Sequence, residues 1–487
     1  MSQRAEQRLA FIGLLALSAT VCGLFAITAM RTIGPGFPLD DAWIHQTYAR
    51  SLGLRGEWAY LPGVPSAGST SPVWTALLAL GYRLRIDPYA WVLSWGVLLL
   101  AATAWFGARW VDARSPHLGR LAWAAGALLV LEWHMVWAGV SGMETLAQAC
   151  MVVLVLLALE TRRPPVLIGI LVGAGVWIRP DALLLLLPVG WALGVEGRRD
   201  ASRAARSLLG VAVGLAILLL PYLGFNLMLG GQVWPSTFYA KQAEYAVELN
   251  RPLGFRLVEQ WSIGLVGAGA ILVLGFASSI WTDVTGKRWA RLAPAVWWLA
   301  FLAAYAVRLP VTYQHGRYAM PALPVLVLVG AEAMLTAALR ASGNAPRILS
   351  RAWAAAALAT AITFLGPGAR AYGQDVAIIE TEMVAAARWI AANTASADLI
   401  AAHDIGAVGY YSERTLIDLA GLISPEVIPF VRDQSRLAEY LDARGADYLM
   451  TFPGWYPRLV ERRTPVFQSN APFSPAAGGE NMAVYPW

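Results

Sequence analysis

Residues 38–74 read PLDDAWIHQTYARSLGLRGEWAYLPGVPSAGSTSPVW, and they follow directly on the first apolar run of the chain, Leu9 to Met30. Two adjacent carboxylates, Asp40 and Asp41, stand where the chain leaves that run, and a loop of Gly, Pro, Ser and aromatic residues comes after them. Acids at a bilayer surface are costly and are retained where they do chemistry. Asp before Ala-Trp-Ile also starts a helix well, but a cap accounts for one acid and not for the pair. A carboxylate so placed can accept a proton from an attacking hydroxyl.

The surrounding chain is that of a membrane protein. Of its residues 57% are hydrophobic and only 14% charged, against about a quarter charged in soluble domains. The net charge of +6 lies in short clusters between apolar runs, which excludes a nucleic-acid-binding face and points to topology determinants. Cys22 and Cys150 both lie inside apolar runs, so neither a disulfide nor a metal site is expected. The first run is long enough to span and is expected to be a retained anchor.

Eleven apolar runs, near 9–30, 88–110, 119–140, 143–160, 165–178, 181–196, 206–229, 262–282, 292–309, 319–339 and 350–367, are expected to span. Alternate connections carry Arg109/Arg114/Arg120, Arg162/Arg163, Arg198/Arg199/Arg203/Arg206, Lys287/Arg288/Arg291 and Arg340/Arg347/Arg351. A cytoplasmic N-terminus puts all five basic loops inside. Val73–Tyr82 is too short to cross about 30 Å of hydrocarbon and is expected to be an interfacial helix. The 165–196 segment, interrupted at Arg179-Pro180-Asp181, is two spans or a hairpin with a shallow outer turn.

Five stretches then share the outer face: the loop 31–87, the turn at Ser141–Glu144, the Arg179–Asp181 turn, the loop 230–261, and Arg308–Met320. The expected organisation is an all-α polytopic bundle over 1–368 and an extracytoplasmic mixed α/β domain over 369–487. In the latter, Val376–Ala392 and Arg436–Arg444 have helical spacing, and Leu399–Ala402 and Tyr448–Phe452 read as strands.

Several further residues are candidates for the site. Glu144, in Ser141-Gly142-Met143-Glu144, is either the acid of a capping box or a second catalytic acid level with the pair. Glu132 and His134 form an ionisable pair inside an apolar run. Arg179, Lys241, His315 and Arg317 are the outer cations available to an anionic leaving group; snorkelling to headgroups is the alternative use of such residues, and it suits Arg308 best. Gly68–Pro72 lacks the lysine and the strand–loop–helix setting of a phosphate loop, and is expected to shape the site as a turn. His403-Asp404 and Asp418 are expected to cap loops, with no nucleophile elbow to make a hydrolase of them.

Asp40-Asp41-Ala42, Tyr48-Ala49-Arg50, Pro62-Gly63 and Ser71-Pro72 with Trp74 resemble the first external loop of the GT-C superfamily of membrane glycosyltransferases. The arrangement is similar to that of aminoarabinose transferases and protein O-mannosyltransferases, and closer to that of actinobacterial terminal arabinofuranosyltransferases. The likeness is sharp over residues 38–76 and continues as topology and short motifs, such as His315-Gly316-Arg317-Tyr318. It implies a polyprenyl-phosphate-linked sugar donor, inverting transfer to a glycan, lipid or protein hydroxyl, and a bacterial plasma membrane. In that family the first acid is the usual general base, which maps onto Asp40. Asp41 and Glu144 are the accompanying acids, Lys241, Arg317, His315 and Arg179 the phosphate ligands, and Tyr48, Tyr60, Trp74 and Glu132 the substrate contacts. A monophosphate leaving group does not oblige a metal or another cofactor. A transporter or lipid flippase, and a non-catalytic lipid-binding protein of the same fold, are the competing classes; no second copy of an interrupted segment, which a transporter would show, is evident.

Overall fold

The computed structural model describes residues 3–487. Seven of its helices are long and apolar enough to cross a membrane: Ala5–Thr32, Pro88–Arg114, Pro180–Gly197, Ala201–Gly230, Trp289–Arg308, Tyr313–Arg340 and Asn344–Asn393. The number becomes nine if each of two sharply bent pairs is one span. Two shorter apolar helices, Thr145–Glu160 and Pro165–Ile178, complete the bundle, so each of the eleven runs lies on helix.

The bends depart from the straight spans expected at 119–140 and 262–282, and each has a local cause. Pro116–Val130 and Trp133–Val140 meet at 61°. Glu132, between them, leaves helical geometry and caps the second helix through His134 N. Leu253–Leu265 meets Gly269–Thr285 at 108°. At that corner Gly267 has a φ of +126°, a conformation open to glycine and disfavoured for other residues. The 230–261 stretch, expected as a loop, holds helices at Ser236–Glu244 and Leu253–Ser262. Helix Pro72–Arg83 is the short one expected beside the acidic pair.

One end of the bundle gathers the basic loops. Arg114 Nε lies 2.8 Å from Glu332 Oε2, Arg291 Nη2 lies 2.7 Å from Glu332 Oε1, and Asp283 takes Arg288 and Arg291 at 3.0 and 3.3 Å. The five stretches assigned to the outer face meet instead at the opposite end, around one cavity.

Helix Asn344–Ile379 runs on through a π turn, Glu380–Val384, into Ala385–Asn393. The division expected at 368/369 therefore falls inside a continuous rod that carries the chain from the bundle into the C-terminal domain. After a two-stranded ribbon in the first loop, β1 (Ala59–Leu61) and β2 (Val64–Pro65), all strands lie in that domain. They are β3 (Leu399–Ala402), β4 (Thr415–Asp418), β5 (Tyr448–Thr451), β6 (Phe467–Gln468) and β7 (Ala483–Pro486), in the order β4-β3-β5-β7-β6. β3 pairs in parallel with both β4 and β5, and β7 runs antiparallel to β5 and β6.

The carboxyl ends of the parallel strands, where α/β sheets place their functional loops, face the bundle. Ile400, Ala402, Ile405, Ala407 and Val408 belong to the same buried apolar cluster as Trp43, Tyr48 and Trp74. The two parts thus meet through a shared buried cluster, while the far side of the sheet has its own, with Ala401, Ile417, Leu437, Leu441 and Leu449.

Candidate active site at the junction of bundle and sheet

Helix Asp40–Arg55 begins without a side-chain cap, at Leu39. Its two leading acids point to different places. Asp40 is buried, and its carboxylate accepts from the amides of Gly406 (2.6 Å) and Ala407 (2.8 Å), the first two residues of the short helix Gly406–Tyr411 that follows β3. It therefore caps the C-terminal domain's helix and not its own. A Cβ on residue 406 would lie 2.0 Å from the Asp40 carbonyl oxygen, which is why glycine stands there. Burial, and then the nearby Asp404, push the Asp40 carboxyl above the usual carboxylate range, against the two amides. Asp40 does not line the cavity; the acid expected as general base is occupied in domain docking.

Asp41 does line it. The cavity, about 380 Å³, is bounded by the first-loop turn Gly68–Thr70, by Glu144, Arg179 and Asp181, by helix Ser236–Glu244, by Tyr305–Leu309, and by Arg317 and Tyr318. Leu422, from the loop after β4, closes one side. Asp41 pairs with Arg317 through Nη2, which also donates to Tyr318 Oη at 3.0 Å. Arg317 is buried, yet its Nε and Nη1 find no partner. Buried donors of a charged group are expensive to leave unmet; the guanidinium lies over the rings of Tyr318 and Tyr313, 4.8 and 5.7 Å from their centroids. Burial opposes ionisation of Asp41, but Arg317 and then Lys241 outweigh it and hold the carboxyl well below its usual range.

Lys241 brings a second cation to the same wall, 3.5 Å from Glu244 Oε2. Burial of Glu244 is outweighed by Lys241 and His403, which bring it down to about 2. Arg179, by contrast, is fully engaged: Nη1 donates to Glu144 Oε1 at 3.0 Å, Nη2 to Tyr305 Oη at 2.9 Å, and Nε reaches Asp181 Oδ2 at 3.2 Å. Glu144 makes no capping bond to its own helix, so the capping-box alternative does not hold. Its second oxygen lies 3.2 Å from His45 Nε2. The polar end of the cavity is thus a ring of alternating charges, and the rest of its wall is apolar, with Leu183, Leu184, Trp234, Phe238 and Leu309.

The remaining candidates lie behind this wall. Tyr48 Oη is 2.6 Å from Ser66 Oγ and accepts from Gly68 N at 3.0 Å, which steadies the Gly68–Thr70 turn. Thr237 Oγ1 donates to the Gly68 carbonyl at 2.6 Å from the other side. Tyr60 Oη donates to the Ile405 carbonyl, and Trp74 Nε1 to the Gly142 carbonyl at 2.8 Å. Glu132 is bound to His134 Nδ1 at 2.6 Å. His315, two residues from Arg317, turns away to Asp375 at 2.8 Å. None of Tyr48, Tyr60, Trp74, Glu132 and His315 reaches the cavity.

Sequence reasoning missed His45, Asp181, Tyr305 and Tyr318. His45 had a signal, since it stands four residues after Asp41 on the same helical face. Tyr318 had one as the last residue of the His315–Tyr318 motif, while Asp181 and Tyr305 had none beyond their place near the outer ends of apolar runs. Asp418 caps its own loop, accepting from Ala420 N (2.8 Å) and Ile423 N (2.7 Å). His403 binds across to Glu244 at 3.2 Å and to Tyr456 Oη at 2.7 Å. Among the described residues, no group of three or more His, Cys, Asp or Glu side chains is arranged to hold a metal ion.

Residues 372–485 match a family described as a domain of unknown function, DUF8728. No curated protein sequence matches the chain. Solved structures do. ArnT from Cupriavidus metallidurans, bound to undecaprenyl phosphate, has a TM-score of 0.55 at 15% identity, over 96% of this chain and 97% of that one. The chain has the GT-C fold. Archaeal oligosaccharyltransferase AglB from Archaeoglobus fulgidus, in complex with an inhibitory peptide and a dolichol-phosphate, gives 0.60 at 11% identity, over 91% of this chain and 69% of that one. The Archaeoglobus fulgidus oligosaccharyltransferase tethered to an acceptor peptide gives 0.61 at 12%, over 94% and 72%.

Proposed function

We propose that this protein is a membrane glycosyltransferase that moves a sugar from a polyprenyl-phosphate donor to an acceptor hydroxyl, with Asp41 as the proton acceptor. The observation that carries the reading is Arg317, a buried guanidinium with two unmet donors beside a carboxylate, at the polar end of an apolar-walled cavity. Structural neighbours bound to undecaprenyl phosphate and to a dolichol-phosphate support a lipid phosphate as its ligand. The phosphate takes Nε and Nη1 of Arg317, with Lys241 alongside, and the isoprenoid tail runs out along Leu183, Leu184 and Leu309.

In the transfer, the acceptor oxygen attacks the anomeric carbon from the face opposite the phosphate. The bond from that carbon to the phosphate oxygen breaks, its electron pair leaves with the polyprenyl phosphate, and the acceptor proton passes to Asp41. The transition state has oxocarbenium character. Charge builds on the phosphate as that bond opens, and Arg317 shifts toward it. Asp41 then loses part of the pairing that depresses its basicity, just as the acceptor proton becomes acidic. Glu144 and His45 border the space between the two and serve to hold the donor sugar. Inversion follows from a single displacement.

The eleven apolar segments, each bent pair counted as one, are read as eleven spans in a bacterial plasma membrane, with a cytoplasmic N-terminus and the C-terminal domain outside. Purified protein in nanodiscs, offered a panel of polyprenyl-phosphate sugars, should release polyprenyl phosphate from at least one, by transfer or slow hydrolysis. Turnover that persists unchanged in Asp41→Asn would reject the assignment.

A further inference from the structure

We propose that Asp375 is a positioning residue for the phosphate site: through His315 it holds the left-handed turn Gln314–Gly316 that aims Arg317 into the cavity. The inference rests on Arg317 being the phosphate ligand, and it adds the element that places it. Gln314, His315 and Gly316 have φ of +53°, +59° and +70°. Three successive residues in that region, two of them with side chains, do not hold such a path unaided, because Cβ crowds the following carbonyl. Inside the turn one backbone bond is made, from Gly316 N to the Thr312 carbonyl at 3.0 Å, but the side chains of the turn give it no support of their own, since Gln314 Oε1 is buried without a partner.

The support is external and converges on one carboxylate oxygen. Asp375 Oδ2 takes His315 Nε2 at 2.8 Å and Trp137 Nε1 at 2.9 Å. The His315 ring stands edge-on between Trp133 and Trp137, with ring centroids 5.3 and 5.5 Å away. On the other side, a Cβ on residue 316 would lie 2.3 Å from Ile263 Cδ1, so the turn is clamped between two walls. Arg317 is the next residue, and its path into the cavity is set by the direction in which the turn leaves His315. Asp375 lies on helix Asn344–Ile379 and does not border the cavity. Its contact with the site runs through the turn, and the loss of its charge alone would strengthen anion binding, the opposite of what loss of the tether does. The same helix continues into the C-terminal domain, so the arginine is referenced to the element on which that domain stands.

The test is a double-mutant cycle on full-length protein in nanodiscs, with undecaprenyl phosphate as the probe and its dissociation constant as the readout. Asp375→Ala and Arg317→Ala should each weaken binding about tenfold, the factor of one charge-assisted hydrogen bond. The double variant should bind no worse than Arg317→Ala alone, because a residue that acts through Arg317 has nothing left to position. Asp375→Asn, which keeps an acceptor for His315 and Trp137, should retain most of the affinity, and His315→Ala should reproduce the loss. Unchanged binding in Asp375→Ala alongside a loss in Arg317→Ala overturns the tether. So do losses that add fully in the double variant, since they would mean general destabilisation. Unchanged binding in Arg317→Ala overturns the phosphate assignment itself, and the tether with it.

Discussion

Replacing Asp41 by Asn should move binding and turnover in opposite directions. Asp41 holds Nη2 of Arg317, and on the proposed reading its negative charge stands beside the phosphate on the same guanidinium. A unit charge about 4 Å from a guanidinium is worth about 4 kcal/mol at an effective dielectric constant of about 20. The Asp41 side chain is 26% exposed, and Lys241 already serves the same anion, so only part of that is recovered when the charge is removed. A net gain of about 1–2 kcal/mol in affinity for undecaprenyl phosphate is a reasonable discount for a partly screened pair, or about five- to thirtyfold in the dissociation constant. The same substitution removes the proton acceptor and should lower transfer by about 10²- to 10⁴-fold. The two readouts are equilibrium binding in nanodiscs at pH 7 and release of labelled product from a polyprenyl-phosphate sugar that the parent protein accepts. Binding that weakens in Asp41→Asn would show that Arg317 is not shared between the carboxylate and the phosphate. Preserved transfer would show that the proton goes elsewhere.

Three further outcomes follow. Asp40→Asn should leave undecaprenyl phosphate affinity within a few-fold while costing about 1–3 kcal/mol of stability, because its amide nitrogen cannot accept from the Gly406–Ala407 amides and leaves one N–H unmet; loss of phosphate binding at parental thermal stability would contradict this. Burial lowers the His403 imidazole, but Glu244 outweighs it and raises the folded-state value above the usual 6.5. Its contribution is therefore fully present below about pH 6.5 and is lost as pH rises through the folded-state value, so the hydrogen-exchange protection factors of 236–250, corrected for the base-catalysed intrinsic rate, should fall above neutrality, and that fall should vanish in His403→Gln. Reporter fusions ending at Arg198 and at Gly373 should report opposite faces of the membrane, and agreement between them would break the eleven-span topology.

Much of this protein was decided by quantities local to the chain. Apolar length is a property of consecutive residues, and it located the eleven apolar runs, each of which lies on helix, and the short helix beside the acidic pair, but not the helices Ser236–Glu244 and Leu253–Ser262. The strand Leu399–Ala402 was legible for the same reason. The 36-residue helix Asn344–Ile379 was legible only in part, since its first half reads as a span and its second half as a soluble helix, and nothing local says that one rod joins them.

The site divides along the same line. Residue types and their outer-face placement singled out Asp40, Asp41, Glu144, Lys241 and Arg317, because acids and cations at a bilayer surface are costly wherever they fall. Which of two neighbours does the chemistry is another matter. Asp40 and Asp41 are adjacent, and one faces the sheet while the other faces the cavity, a choice made by the loop after β3 closing over the helix start. His315 and Arg317 are separated by a single glycine and point to opposite walls, because three left-handed residues reverse the chain between them. Composition and periodicity do not encode such directions; they arise where elements far apart in sequence press on one another, and only the packed chain fixes them.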